Sequence, residues 1–360
     1  MDFGYSENQT MLAASIERFL TACHDLPRRK ALLEDRAASD ALWREMAELG
    51  WIGAAFPQSA GGFAESALDT FVVMEGLGRH LVALPYLTSV ILCGGLIASR
   101  PDLIEAMVAG RLNLALVACG NAPLHSPQFG AISVARRGRE HVLSGRMAVV
   151  IGGDRADKFL VEAAGNLYLV DADRVAVRTF RMIDQHGAGE VKLDGVRVGT
   201  DCIIGEPGGA VAAIQAALDR ATVMACAQAL GSMAHLIPAT ATYIKSRQQY
   251  GAPLAKFQVL QHRMADMFIH AETARSMALA AAMSLDGVPD PTRISSAKAQ
   301  IGRAARFVGY QAVQLHGGMG VSEELDIGHH YIQLTMLDRL FGDRDFHLKR
   351  YADLTQGPGQ

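Results

Sequence analysis

Apolar residues recur at helical spacing from the start of the chain. In SENQTMLAASIERFL, Met11, Leu12, Ile16, Phe19 and Leu20 fall on one stripe, and Ser6 stands where an N-cap belongs. SDALWREMAELGWIG repeats the pattern and stops near Gly50. FPQSAGGF is a Pro/Gly loop, and ALDTFVVMEGLGRHL predicts the next helix. Residues 1–112 read as an N-terminal helical domain.

The period changes after residue 112. LNLALVACG, GAISVARR, HVLSGRMAVVIGG, DKFLVEAAG, NLYLVDA and VAVRTFR are short runs rich in Val, Leu and Ile. Gly, Asn or Asp separates them and several alternate, which predicts a central β domain over 113–207, a barrel or sandwich. From Gly208 the pattern is helical again, with long amphipathic runs joined by short connections. That predicts a C-terminal four-helix bundle over 208–360, its first helix bent at Pro238. The fold class expected is α+β multidomain. The bundle helices are poor in charge and rich in Ala and Met, so a second face should be buried against another subunit.

Composition narrows the possibilities. The chain has 360 residues, enough for two or three domains, and a net charge of -3 without a Lys/Arg cluster. No electrostatic footprint for nucleic acid exists. Apolar runs such as LTSVILCGGLIAS are too short to span a bilayer, so no membrane partner is expected. The opening MDFGYSENQT is acidic and polar, unlike a signal peptide. The five cysteines are scattered without a C-x-x-C pair, which suits reduced thiols in a cytoplasm and no metal framework. His329 and His330 are adjacent, so their side chains diverge on a helix, and no metal site is expected.

Two motifs suggest chemistry. QLHGGMG ends a helix with Gly317, Gly318 and Gly320, more glycine than a C-cap needs; such clearing lets a ligand approach the main chain. RQQYGAPLAKFQVLQHRMADM places Arg247, a fork of donors suited to phosphate, before a sharp turn at Gly251 and Pro253, with Gln258 opening the next helix.

Together these stretches resemble the two C-terminal signatures of the acyl-CoA dehydrogenases. LWREMAELGWIGAAFPQSAGGFAESALDTFVVMEGLGR and LSGRMAVVIGGDRADKFLV are similar to that family's N-terminal and central signatures, so the resemblance covers nearly the whole chain. It implies a helical domain, a β domain and a bundle, FAD as cofactor, and oxidation of an acyl-CoA to the 2-enoyl-CoA. It implies a dimer or tetramer, homomeric or heteromeric, and an electron-transfer flavoprotein as acceptor. By position, Arg247 and Tyr250 would contact the pyrophosphate and adenosine half of an FAD, as would Gln258, Gln314, Leu315, His316, Gly317 and Gly318.

The departures are as informative. Most members carry the catalytic Glu in a Tyr-Glu-Gly-Thr run, whereas LFGDRDFHLKR puts Phe341 at the aromatic position and Gly342 at that of Glu. Asp343 and Asp345 should instead cap and charge the following helix. Some members hold the base on the first long bundle helix just before an Arg, the place of Asp219 before Arg220 here, so Asp219 is the candidate catalytic base. A local acid paired on its own helix face remains the alternative. At the flavin ring the family usually has Trp-Ile-Thr-Asn-Gly; this chain has Val149, Val150, Ile151, Gly152 and Gly153. The upstream Thr-Glu-Pro…Gly-Ser-Asp stretch has no counterpart in LVACGNAPLHSPQFG. The GDRDFHL ending resembles the small subunit of two-chain acyl-CoA dehydrogenases of pimeloyl-CoA and steroid side-chain type. In these a related larger chain would hold the FAD and supply the Glu. A flavin monooxygenase or oxidase on the same scaffold, and a cofactor-free assembly subunit, stay open beside this.

Overall fold

A computed structural model describes residues 4–118, 132–138 and 140–356. By compactness the chain divides into two units: residues 1–34, 66–82 and 222–360 form the first, and residues 35–65 and 83–221 the second. The first unit combines stretches from the N-terminal helical region with most of the bundle, and the long helix that opens the bundle contributes its first turns, Ala210 to Ala221, to the second unit.

The first unit is helical. It contains α1 (Glu7–Cys23), α2 (Leu26–Glu34) and, from the second unit's sequence neighbourhood onward, further helices given below. Ser6 closes a capping box with Gln9, as its position suggested. Ile16 and Leu20 are buried, but Met11 is exposed. The core position one stripe earlier belongs to Gln9, whose amide donates to Asp69 Oδ1 (3.0 Å) and Ser66 Oγ (3.2 Å) at the start of a neighbouring helix. A satisfied amide occupies the place that hydrophobic periodicity assigned to a methionine.

The second unit begins with α3 (Arg36–Glu48), and α4 (Ala67–Arg79) then returns the chain to the first unit. Back in the second, the apolar run LTSVILC forms a π-helix, Tyr86–Cys93, that continues into the short α5 (Gly94–Leu96), followed by α6 (Pro101–Val108). Eight strands follow: β1 (Leu114–Val117), β2 (Ile132–Arg137), β3 (Glu140–Ile151), β4 (Lys158–Ala163), β5 (Asn166–Asp171), β6 (Ala176–Arg181), β7 (Gly187–Gly199) and β8 (Ile203–Ile204). They make two four-stranded sheets, β1-β4-β5-β8 and β2-β3-β7-β6, antiparallel except for β1 against β4. Alternating residues of both sheets, among them Val117, Phe159 and Val161 on one and Leu143, Met147 and Val191 on the other, share one buried core. The result is a sandwich, the architecture that period-two runs require.

The remaining helices belong to the bundle: α7 (Ala210–Ser246), α8 (Gln258–Met283), α9 (Pro291–His316), α10 (Asp326–Arg339) and α11 (Arg344–Gln356). A two-residue ladder of β9 (Gln248–Gln249) and β10 (Ala252–Pro253) separates α7 from α8. Helix α9 packs against α8, α10 and α11, so α11 adds a fifth helix to the four expected. Pro238 lies inside α7, which continues unbroken to Ser246. By length and composition α7 could cross a membrane, unlike the shorter runs singled out in the sequence, but 61% of its most apolar stretch is buried within the protein. It is a core helix.

Helices α4 and α7 touch backbone to backbone. A Cβ at Gly78 would lie 2.0 Å from the Gln228 carbonyl oxygen, and one at Gly231 would lie 1.9 Å from that of Glu75. Ser232 Oγ donates to the Gly78 carbonyl at the same crossing. Only glycine permits this approach.

Candidate functional site

One end of the first unit gathers the residues of both C-terminal motifs. Helix α7 ends one turn after Tyr243, with the Arg247 N–H bonded to the Tyr243 carbonyl (2.8 Å). The Leu254 N–H returns to the Arg247 carbonyl (2.9 Å) and closes the β9–β10 hairpin. Tyr250, at the tip, has φ +53 and is 89% exposed. Arg247 and Gln258 are exposed, and the Arg247 guanidinium has no partner among the described residues.

Helix α9 ends at His316, and Gly317 (φ +62) turns the chain into a 3-10 segment, Gly317–Val321. The Tyr243 ring stacks on that of His316 with centroids 4.3 Å apart, and the Tyr243 hydroxyl donates to the His316 carbonyl. This contact fixes the end of α7 against the end of α9, and so sets the Arg247 motif relative to the Gly317 motif. Gln314, Gly317 and Gly318 are exposed, and a Cβ built at either glycine would meet nothing within 4 Å. Leu315 and His316 behave differently. Both side chains are 6% exposed, and His316 Nδ1 donates to the Ala312 carbonyl (2.8 Å). At i+1 and i+2 from Gln314 the helix turns both side chains inward, which leaves their main-chain groups nearest the surface.

An exposed unpaired guanidinium, an exposed aromatic ring and an open glycine stretch fit the pyrophosphate and adenosine half of a dinucleotide. The ring half is another matter. In the second unit Val149 is 37% exposed, Val150 is buried, and Gly152 and Gly153 form a turn closed by Gly153 N–H to the Val150 carbonyl. No aromatic ring or hydroxyl stands in that run. Most of LVACGNAPLHSPQFG lies outside the described residues.

Asp219 lies on α7 within the second unit and is 7% exposed, its Oδ1 accepting from Gln215 Nε2 (3.1 Å). Neighbouring Arg220 donates Nη2–H to the Ala55 carbonyl (3.2 Å). A carboxylate on a buried helix face can take a proton from a group delivered to that face.

Gly342, at the family's Glu position, cannot simply be replaced. It has φ +108, and a Cβ there would lie 2.4 Å from Phe346 Cδ1 and 2.8 Å from His347 Nε2. The loop is held from beneath by Lys298, 1% exposed, whose Nζ donates to the carbonyls of Leu337 (2.7 Å), Asp338 (2.9 Å) and Gly342 (2.9 Å). Burial pulls the Lys298 ammonium down to about 8, opposed by nearby Cys226 and Asp338. His347 Nε2–H donates to the Phe341 carbonyl (3.0 Å), and burial lowers His347 to about 4. Asp343 Oδ1 accepts from the Phe346 N–H (3.0 Å), and Asp345 sits in the first turn of α11. Both acids serve the helix start, as expected. Lys298 had no sequence signal: a lysine in an otherwise apolar helix face is indistinguishable from a solvated one.

The acyl-CoA dehydrogenase N-terminal domain profile matches residues 6–99, and the C-terminal domain profile matches residues 208–353. Acyl-CoA dehydrogenase FadE27 of Mycobacterium tuberculosis is 27% identical, covering 99% of this chain and 100% of its own. Acyl-CoA dehydrogenase IpdE2 of the same organism is 28% identical over 89% of each chain. A crystal structure of the ChsE4-ChsE5 complex from Mycobacterium tuberculosis superposes with a TM-score of 0.88 at 26% identity, covering all of both chains. The fold is that of the acyl-CoA dehydrogenases. The chain belongs to the acyl-CoA dehydrogenase family, whose members are flavoprotein oxidoreductases acting on CH–CH bonds.

Proposed function

We propose that this chain is the subunit of a two-chain acyl-CoA dehydrogenase that grips the nucleotide half of an FAD while a related chain supplies the ring pocket and the catalytic Glu. The observation that carries this is an asymmetry. Arg247, Tyr250, Gln258, Gln314, Gly317 and Gly318 present an open dinucleotide surface, while the Val149–Gly153 run is aliphatic and Gly342 has no room for a side chain. The similarity to the ChsE4-ChsE5 complex supports a heteromer, and a likeness at 27% identity to the solved Tcur3481-Tcur3483 steroid ACAD favours a steroid-type acyl-CoA substrate.

Bound FAD supplies the acceptor for a hydride from the β-carbon of the acyl thioester. This chain's residues bind and orient. The Arg247 fork offers planar donors to a dianionic pyrophosphate, and the Gly317–Gly318 main chain lets it approach without a Cβ in the way. The electron acceptor is an electron-transfer flavoprotein and the setting cytoplasmic, by family likeness and by the scattered free cysteines.

A second reading rests on Asp219: in a homomer its buried carboxylate would take the α-proton. The test is to express the chain alone and with its related chain and record visible spectra and turnover. The two-chain reading expects flavin and activity only in the pair; full flavin with turnover from this chain alone defeats it.

A further inference from the structure

A cluster in the first unit plays no part in the reaction above. Helix α10 opens with Asp326, and His330 follows one turn later on the same face, the i, i+4 spacing that brings two side chains together. His235 of α7 faces them. Its Nε2 lies 2.8 Å from Asp326 Oδ2 but outside hydrogen-bond geometry, and its ring stacks on that of His330 with centroids 4.4 Å apart at 22°. One donor atom from each of the three residues falls within 4.8 Å of the others.

His330 is 1% exposed and its Nδ1 has no hydrogen-bond partner. A buried polar nitrogen left unmet costs about 1–3 kcal/mol, so its retention at the centre of the cluster calls for a ligand. The three residues line a cavity of about 420 Å³, together with Glu17, His24, His80 and Arg79. His24 Nδ1 is likewise buried without a partner. Around the cavity three carboxylates, of Glu17, Asp25 and Asp326, face two guanidiniums, and the Nε–H of one of these, Arg29, is turned away to the Leu81 carbonyl. Glu17 already pairs with Arg79 and His80, and Asp25 accepts from the Arg28 N–H, so Asp326 is the carboxylate that would meet a cation beside the two imidazoles.

We propose that His235, Asp326 and His330 form a divalent transition-metal site, with Zn²⁺ as the representative ion. Two imidazoles and one carboxylate are a donor set for a borderline first-row ion, and no thiolate is present to favour a softer one. Coordination requires the two nearly parallel rings to swing apart so that both lone pairs aim at one point, with water from the cavity completing the shell. The ion would clamp α10 onto α7.

The sequence does carry a trace of this. The expectation against a metal weighed His329 with His330, which do diverge: His329 lies near the Glu323 carbonyl (3.4 Å). The productive neighbour of His330 is Asp326, four residues back, and His235 is brought in only by folding.

The purified protein in its native assembly, stripped with a chelator and then titrated with Zn²⁺ alone, tests the site. One Zn²⁺ per chain is expected, with binding lost in His235→Gln and in Asp326→Asn. Circular dichroism and the metal-free melting temperature of both variants should stay as in the parent. Zinc-edge absorption of the wild-type protein should show imidazole scattering in the first shell, a readout that does not depend on either variant folding. No saturable uptake, undiminished uptake in either folded variant, or a first shell without imidazole each overturns the proposal.

Discussion

The Lys298 ammonium stands 2.9 Å from the carbonyl oxygen of Gly342, in the interior beneath the loop where the family resemblance would place a catalytic glutamate. The same ammonium closes the last carbonyls of α10, so one buried charge ends a helix and shapes the loop that follows. With Gly342 at φ +108 and Phe346 packed against it, the loop is built for glycine and for no side chain.

Gly342→Glu should therefore not install a base. The new Cβ would have to displace Phe346 in a backbone conformation that L side chains rarely adopt, at a cost of about 2–3 kcal/mol. Chemical denaturation should show that loss, and turnover of the assembled enzyme should not rise. A stable variant with increased turnover would overturn this account of the loop.

Lys298→Met keeps the volume and removes the donor. Three carbonyl groups in the interior then lose their shared partner, and stability should drop by about 2–4 kcal/mol in a urea titration. A change within experimental scatter would mean that water replaces the ammonium.

Acid should weaken the fold through its buried histidines. Burial lowers His24 and His347 from 6.5 to about 4. Each is neutral in the native state while the unfolded chain takes up a proton below about pH 6.5. Their contribution is fully present above pH 6.5 and is lost as pH falls towards 4, up to about 3 kcal/mol per histidine. Melting temperatures recorded from pH 7 to 4 should fall, and less steeply in His24→Asn. Parallel profiles would remove His24 from the explanation.

Arg247→Ala should weaken flavin binding without unfolding the bundle, because the guanidinium is exposed and without a partner among the described residues. Loss of a charge-assisted, two-pronged contact to a diphosphate corresponds to about 1.5–3 kcal/mol, a roughly 10- to 150-fold rise in Kd. Flavin fluorescence titration of the two-chain assembly measures it.

Asp219→Asn separates the two readings of the chemistry. The substitution retains the acceptor for Gln215 and removes the base. If Asp219 takes the α-proton, kcat should fall by about 10²–10⁴ with flavin content unchanged. Unchanged turnover assigns the proton to the partner chain.

Periodicity, capping residues and glycine clusters were enough to foresee helices before residue 113, strands up to residue 204 and helices from residue 210 onward. These signals are local: a stripe, a cap or an alternation is complete within a dozen residues. The motif glycines and Arg247 were legible for the same reason, since each shapes or charges its own stretch of backbone. The sequence also carried the absence at Gly342, although only its packing against Phe346 shows that the absence is enforced. Tertiary structure alone decided the rest. It placed Gln9 where Met11 was expected, turned Leu315 and His316 inward, seated Lys298 beneath Gly342, and brought His235 to Asp326 and His330 across ninety residues of chain. The reason is physical: burial and pairing belong to the surroundings of a side chain, and those surroundings exist only when distant helices pack.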